Sequence, residues 1–281
     1  HVRGIRSQRS TYPEENIMSN AVTTKKSAEL STDFMSDVFA DGDEGTTFSA
    51  DEMIIPYIRL AQAMSPELKK KEAKYIEGLD EGDIFNNLTN EVYPGDTGIN
   101  VIPCYVVTKY TEWMPDRGGF VQDLDQSDPA IAQRRRDGNT EILPNGNHLQ
   151  IADCYFCLLI TEDEDYMPVV IDMKVSQMKV SKRWKSMIAM NKAKNPKTGQ
   201  MQVLSLFSTM WKVVAVSDSN KAGQPYANYA VSKVGVVENP VLRNEAKKFR
   251  MSVETGEAKA MTEETESKKN NSDVTEDEIP F

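Results

Sequence analysis

Cationic side chains are concentrated in one stretch of the chain. Residues 174–221 contain ten lysines and arginines and a single acidic residue, Asp218. Ammonium and guanidinium groups bind phosphates, so such a stretch is typical of a surface that contacts nucleic acid, although it can also be an ordinary solvated face. The candidate phosphate-binding residues are Lys179, Lys182, Arg183, Lys185, Lys192, Lys194, Lys197, Lys212 and Lys221.

Aromatic side chains lie among these cations. Phe207 and Trp211 fall on one face of a predicted strand, and Tyr226 and Tyr229 follow on the next one. Rings beside cations can stack on unpaired bases, each stack contributing roughly 1 to 3 kcal/mol. The alternative is that these rings fill a barrel core, and both interpretations stay open. Trp184 lies in the apolar stripe of a predicted helix, which favours a core position.

A second cationic patch lies in residues 110–147, a long insertion between predicted strands. It contains Trp113 and the arginine run Arg134, Arg135 and Arg136. Insertions of this length are often functional, so this one could close over a bound strand. Nearby aspartates dilute its positive charge.

An enzymatic alternative rests on Asp172 and Lys174, which end an apolar predicted strand. Their Asp-x-Lys spacing is half of a metal-dependent nuclease site, in which a carboxylate holds Mg²⁺ and a lysine orients water or stabilises developing charge. Asp153 is the candidate for a second carboxylate. The Pro-Asp half of such a site is not visible, and three-residue matches arise by chance. We therefore predict no catalytic residue and no cofactor, and keep the nuclease as an alternative.

The three cysteines offer a possible metal site. Cys104, Cys154 and Cys157 are an odd set, which argues against a secreted disulfide scaffold. With His148 they could form a zinc site. Positions three apart on a strand point to opposite faces, so Cys154 and Cys157 could share one zinc ion only if the predicted strand broke there. We predict core cysteines and no bound metal.

The last residues of the chain place acidic groups before an apolar tip. Asp277 and Glu278 precede Ile279, Pro280 and the C-terminal Phe281. In a segment too polar to fold alone, this pattern predicts a recognition peptide. Phe281 would fill a pocket on a partner protein, while the carboxylates pair with basic residues around it.

This tip resembles the C-terminal tail of bacterial single-stranded DNA-binding proteins, which ends in an aspartate-rich run followed by Ile-Pro-Phe. Glu276 and Glu278 stand where that family usually has aspartate. The resemblance covers residues 273–281 and implies recruitment of replication and repair proteins. The body, with Tyr110-Thr-Glu-Trp113 and Gly118-Gly119, is similar to phage-encoded single-stranded DNA-binding proteins. That similarity implies an oligonucleotide-binding (OB) barrel that grips single strands.

The negative charge lies mainly in the two ends of the chain. The net charge of the chain is −10. Residues 18–52 contain 2 basic and 8 acidic side chains, and residues 251–281 contain 3 basic and 9 acidic ones. Residues 53–250 are nearly neutral, with 25 basic and 24 acidic side chains. We predict a disordered acidic segment over residues 1–52, of which 1–17 is interpreted as upstream sequence. We further predict one nucleic-acid-binding domain over residues 53–250 and a disordered acidic tail over residues 251–281.

The elements expected to position these residues are mainly strands. The first ordered element is expected near residues 53–60. Runs of β-branched and aromatic residues between turn residues then predict five strands, at 99–107, 149–160, 167–174, 203–217 and 226–237. Helices are predicted at 66–75, 129–136, 176–191 and 239–250. The pattern indicates a mainly β protein with short helices, an OB-like five-stranded barrel with insertions and disordered acidic ends.

Together these features predict a phage single-stranded DNA-binding protein. It would coat and protect DNA in replication, recombination and repair, and recruit partner proteins through its tip. An adaptor that does not bind DNA is the alternative beside the nuclease. No apolar run reaches the roughly 18 residues of a membrane span, so we expect a location in the cytoplasm of a bacterial host. A homo-oligomer is compatible with the sequence.

Overall fold

Eleven strands form a mixed β-sheet that curls into a half-barrel. They are β2 (Tyr57–Leu60), β3 (Ile84–Asn86), β4 (Val92–Tyr93), β5 (Ile99–Trp113), β6 (Phe120–Leu124), β7 (Arg135–Asp137), β8 (Thr140–Ile142), β9 (His148–Ile160), β10 (Tyr166–Lys174), β13 (Thr209–Ser219) and β14 (Pro225–Val236). Two strand pairs stand apart from this sheet: β1 (Ile54–Ile55) with β15 (Lys259–Ala260), and β11 (Lys192–Lys194) with β12 (Met201–Val203).

The structure is a computed structural model that describes residues 54–115, 118–138, 140–161, 165–220 and 222–260. These residues all belong to one compact unit. Their α-helices are α1 (Pro129–Ala132), α2 (Met178–Ala189) and α3 (Pro240–Glu254), and 3₁₀ turns lie at Pro66–Leu68, Val175–Gln177 and Leu206–Ser208. Within the described ranges no helix has the length and apolar character needed to cross a membrane.

The central strands follow a Greek-key order. β5, β9 and β10 are successive antiparallel strands, and β13 returns to lie antiparallel beside β5. The spatial order β13-β5-β9-β10 is that of a Greek key, with the fourth strand next to the first. β14 then forms a hairpin with β13, and β2 lies parallel to β10 on the other side.

One side chain bridges β14 and the segment that follows β2. The Nε2 of Gln62 donates to the carbonyl oxygen of Ala227 at 2.8 Å, and its Oε1 accepts from the amide of Ala227 at 3.1 Å. β2 and β14 share no ladder in the described sheet. Gln62 therefore makes the pair of hydrogen bonds that a neighbouring strand would otherwise make.

Three aromatic rings in contact connect α2 to the interior of the half-barrel. Trp184 of α2 lies 4.2 Å from the ring of Tyr155 in a stacked arrangement and 6.1 Å from the ring of Trp211, edge to face. All three rings are buried in the main interior cluster. The apolar stripe of α2, which also includes Val180 and Ile188, packs against this cluster. The prediction that Trp184 anchors the helix in the core is confirmed.

α3 covers the outer face of β5 and β9. Leu242 and Ala246 are buried against Ile102 and Leu158. The last turns of α3, together with β1 and β15, extend this cover over Phe156. The central strands are therefore packed on both faces, which explains their nearly continuous apolar sequence.

The predicted mainly β class is confirmed, and each of the five long predicted strands overlaps an observed one. Three element predictions were wrong in their extent. The helix expected at residues 66–75 is only a 3₁₀ turn, because the lysine-rich segment after it has no apolar face to bury. The helix expected at 129–136 ends at Ala132 because Arg135–Asp137 pair into β7. The strand expected from residue 203 starts at Thr209, after a 3₁₀ turn.

The folded residues extend past the boundary predicted at residue 250. α3 continues to Glu254, and β15 pairs in parallel with β1 through residues 259 and 260. The predicted acidic segment 1–52 and the rest of the predicted acidic tail, 261–281, lie outside the described residues.

Candidate nucleic-acid interface

The exposed side of α2 is cationic. Ser181 and Trp184 are fully buried against the barrel, and 3.6 residues per turn place the opposite side of the helix in solvent. Lys179, Lys182 and Arg183 lie on that exposed side. The helix has no acidic residue, and none of these three cations forms an ion pair with a described residue. They are available to bind phosphate.

Lys185 has a structural partner instead. Its Nζ lies 2.6 Å from Oδ1 of Asp153, whose side chain is 2% exposed. Thr108 and Ser181 donate to the same carboxylate at 2.7 and 2.6 Å. Burial raises the pKa of Asp153, but the bonds from Lys185, Ser181 and Thr108 outweigh burial, and the net pKa is lowered. Lys185 thus has a structural role, because its charge compensates a buried carboxylate, and its binding of phosphate stays a prediction.

The cationic surface continues from α2 into the β-ribbon, which we define as residues 191–204 around β11 and β12. Lys192, Lys194 and Lys197 are exposed, and the ribbon contains no acidic residue. Asn191 fixes its base, since its Nδ2 donates to Oγ1 of Thr209 at 2.8 Å. The two predicted groups of cations are therefore exposed on two elements that follow each other directly in the chain.

Lys233 is a basic residue that sequence patterns do not single out. It is exposed on β14, and its Nζ donates to Oδ1 of Asn191 at 2.6 Å. It pairs with Trp211 of β13 beside a β-bulge, and this strand register places it at the base of the ribbon. The sequence alone does not show the register. Lys212 is half-buried on the opposite face of β13 and is not brought together with the α2 cations.

Most rings predicted to stack on bases lie in the core. Trp211 is 1% exposed and Tyr229 is 3% exposed. The stacking prediction is corrected for both, because neither ring has a face open to a base. Phe207 is half-buried in the cluster beneath α3.

Tyr226 lies in an acidic environment. Its hydroxyl donates to Oδ2 of Asp218 at 2.9 Å. It also lines a groove of about 390 Å³ together with Glu81, Asp83 and Asp96. Carboxylates repel phosphate, so Tyr226 does not extend the cationic surface. The predicted Lys221 lies outside the described residues.

The insertion between β5 and β9 contributes one uncompensated arginine. The Nε atoms of Arg134 and Arg136 lie 3.4 and 3.8 Å from the carboxylate of Glu141. Arg135 is exposed on β7 and makes no ion pair with the part of the chain that the structure describes. Trp113 packs edge-on against an aromatic ring of β6, with centroids 5.9 Å apart. The arginine run is therefore not a free cluster of three charges.

The two carboxylates of the nuclease alternative lie on opposite faces of the sheet. Asp153 pairs directly with Met173, whose side chain lies in the interior cluster, so Asp153 is on the interior face of the sheet. Asp172 precedes Met173 on the same strand, and its side chain therefore points to the outer face. Asp172 lies 3.3 Å from both Arg59 and Lys174. Burial raises its pKa, but the charges of Arg59 and Lys174 outweigh burial and lower it. The two aspartates are not placed to hold one metal ion.

The cysteines lie in three different core clusters. Cys157 is in the barrel interior, Cys154 lies beneath β1 and β15, and Cys104 lies beneath α3. The prediction of core cysteines is confirmed, with Cys154 and Cys157 on opposite faces. Burial raises the pKa of the Cys104 and Cys154 thiols to about 12. Among the described residues, no group of three or more His, Cys, Asp or Glu side chains is arranged to hold a metal.

The family model described as Pam3 phage gp34-like protein matches residues 24–259. The chain belongs to this gp34-like family. No curated protein and no solved structure matches the chain. The family assignment confirms the expected phage origin of the protein. The predicted partner-binding tip, residues 277–281, lies outside the described residues.

Proposed function

We propose that this gp34-like protein binds and coats single-stranded DNA in phage replication, recombination or repair. The observation that carries the proposal is the exposure of Lys179, Lys182 and Arg183 on α2 and of Lys192 and Lys194 on the ribbon that follows it, with no acidic residue between them. Lys179 and Arg183 lie about 6 Å apart along the helix axis, and the ribbon lysines come next in the chain. One strand could therefore contact these cations with several successive phosphates.

The strand order supports an OB-like barrel as the scaffold. The Greek key of β13, β5, β9 and β10, followed by β14, has the strand number and the connection type of that fold. In OB barrels the second and third strands often form the ligand face, and here these are β9 and β10. α3, β1 and β15 cover their outer face. The proposed DNA surface is therefore at α2 and the ribbon.

Phosphate contacts dominate the proposed binding mode. Residues 178–204 contain one aromatic residue, Trp184, and it is fully buried. Stacking on the cationic surface is thus a minor contribution. Each lysine or arginine that neutralises a phosphate releases counterions, so the affinity falls steeply with salt.

The acidic tip remains the proposed partner-binding element. Asp277, Glu278 and Phe281 would recruit replication or repair proteins, as in the tails that this segment resembles. The tail follows β15 and carries charge opposite to that of the α2 surface. In the free protein it would compete for that surface, and DNA would release it to bind partners.

Fluorescence anisotropy of labelled oligo-dT across a salt series tests the DNA-binding proposal. The double variant Lys182→Ala/Arg183→Ala should weaken binding and reduce the slope of log K against log salt by about 1.4, roughly 0.7 for each lost phosphate contact. Lys247→Ala, an exposed helical lysine on α3, is the matched control and should leave the slope unchanged. Wild-type binding that is absent or insensitive to salt would sink the proposal. In that case capture of partners by the Phe281 tip would favour the adaptor function.

A further inference from the structure

The ribbon of residues 191–204 is an ordered projection that buries little surface. Within the described sheets, β11 and β12 pair only with each other. Met201 is 61% exposed and Val203 is 55% exposed. A two-stranded ribbon is marginal on its own, so local bonds must fix its shape.

The side chain of Asn195 supplies several of these bonds. Its Oδ1 accepts from the amide of Lys197 at 2.8 Å, and its Nδ2 donates to Oε1 of Gln202 at 2.8 Å. Gly199 closes the turn at a φ of 71°, which glycine adopts without steric penalty. Pro196 is exposed at the tip. The ribbon is therefore fixed before any partner binds, which reduces the entropy lost on binding.

One face of the ribbon combines cations with apolar side chains. The register pairs Lys192 with Val203 and Lys194 with Met201. Directly paired residues share a face, so two lysines stand beside two exposed apolar groups. A DNA groove offers both complementary features, phosphates along its edges and base edges with apolar groups on its floor.

We propose that the ribbon enters a groove of double-stranded DNA, with Lys192 and Lys194 on phosphates and Met201 and Val203 against the bases. The major groove is about 12 Å wide and admits a two-stranded ribbon. A single strand has no groove to receive the ribbon.

This site goes beyond single-strand binding and does not depend on it. Where both sites act, the ribbon would hold the duplex and the cations of α2 would hold the single strand, so the protein would sit at a junction between single-stranded and double-stranded DNA. Only this junction preference rests on the proposed function.

Anisotropy with a blunt duplex, the matching single strand and a tailed duplex separates the two sites. Met201→Ser/Val203→Ser keeps every charge and changes only exposed side chains. It should weaken duplex and tailed-duplex binding about tenfold and leave single-strand binding unchanged. Met64→Ser, at a methionine that is 77% exposed outside the ribbon, is the matched control.

Three results would overturn the groove proposal. In the first, the ribbon variant binds duplex DNA as tightly as wild type does. In the second, it loses the same affinity for single-stranded and for duplex DNA. In the third, it loses binding to anionic phospholipid vesicles and keeps its affinity for duplex DNA. If the Lys182→Ala/Arg183→Ala variant keeps its single-strand affinity while the ribbon variant loses duplex affinity, the groove site stands and single-strand coating through α2 does not.

Discussion

The ammonium group of Lys185 donates to the buried carboxylate of Asp153 at 2.6 Å and so joins the cationic helix α2 to β9. Ser181 of the same helix donates to the other carboxylate oxygen at 2.6 Å. Two bonds from one helix to one carboxylate fix the rotation of α2 about its axis. Asp153 therefore determines which lysines face solvent, although it lies beneath the candidate interface.

We expect Asp153→Ala to lower the free energy of unfolding by about 3 kcal/mol, because Lys185 and Ser181 lose their acceptor in a buried site. Urea denaturation measures this loss. Lys182→Ala, an exposed change on the same helix, should alter stability by no more than about 0.5 kcal/mol. Equal stability of the two variants would contradict the anchoring role of Asp153.

Acid should destabilise the protein partly through Asp153. Its pKa is lowered in the folded state, so the stabilisation is complete above the ordinary pKa of about 3.9 and is lost as the pH falls through the folded-state pKa. Asp153→Asn should therefore lose less stability than wild type between neutral pH and about pH 3. Urea midpoints over this range give the comparison. Parallel curves would show that the carboxylate does not contribute this pH dependence.

Tryptophan fluorescence should report little on DNA binding. The protein has three tryptophans, and Trp184 and Trp211 are buried. In Trp113→Phe, saturating oligo-dT should leave the emission nearly unchanged while anisotropy still reports binding. Strong quenching in that variant would place one of the two core rings against a base and restore the stacking hypothesis.

Val175 is in an unfavourable backbone conformation between β10 and α2. Its φ is 51°, and its side chain is 68% exposed. A β-branched residue in the left-handed region is strained, so Val175→Gly should stabilise the protein by about 1 kcal/mol. Val234→Gly, at an exposed strand valine outside that region, should destabilise it by a similar amount. Melting temperatures that fall for both variants would argue against strain at Val175.

Gln62→Ala should loosen the junction with β14. It removes both hydrogen bonds to Ala227, and we expect a loss of about 1 to 3 kcal/mol. In Gln62→Glu an ionised carboxylate would place an oxygen against the carbonyl oxygen of Ala227, so the loss should be smaller at a low pH, where the protonated carboxyl can both accept and donate. Hydrogen exchange at the amide of Ala227 gives a local measurement. Unchanged exchange in Gln62→Ala would mean that the bridge does not hold this edge.

Local periodicity was sufficient to predict the main elements. The apolar stripe of Val180, Trp184 and Ile188 predicted α2 and its exposed cations, because burial of one helix face repeats every 3.6 residues. Runs of β-branched and aromatic residues between turn residues similarly predicted β9 and β10.

The sequence could not predict the contacts that depend on strand register. Lys185 is compensated by Asp153, which lies far away in the chain, and a shift of one residue in β9 would turn that carboxylate to the other face. The sequence is compatible with Trp211 either in the core or against a base, and its burial follows from contact with Trp184. The β2 strand and the Gln62 bridge depend on a parallel pairing that has no local signal.

The positions of the cysteines have a kinetic consequence. Cys154 is shielded by β1 and β15, and Cys157 is shielded by the barrel itself. Since burial raises the pKa of both thiols, a labelling reagent must wait for the protein to open. If only β1 and β15 separated from the sheet, the thiol of Cys154 would react with the reagent, whereas Cys157 would stay protected until the barrel itself opened. The order in which the thiols react thus distinguishes partial opening from global unfolding within one unmodified chain.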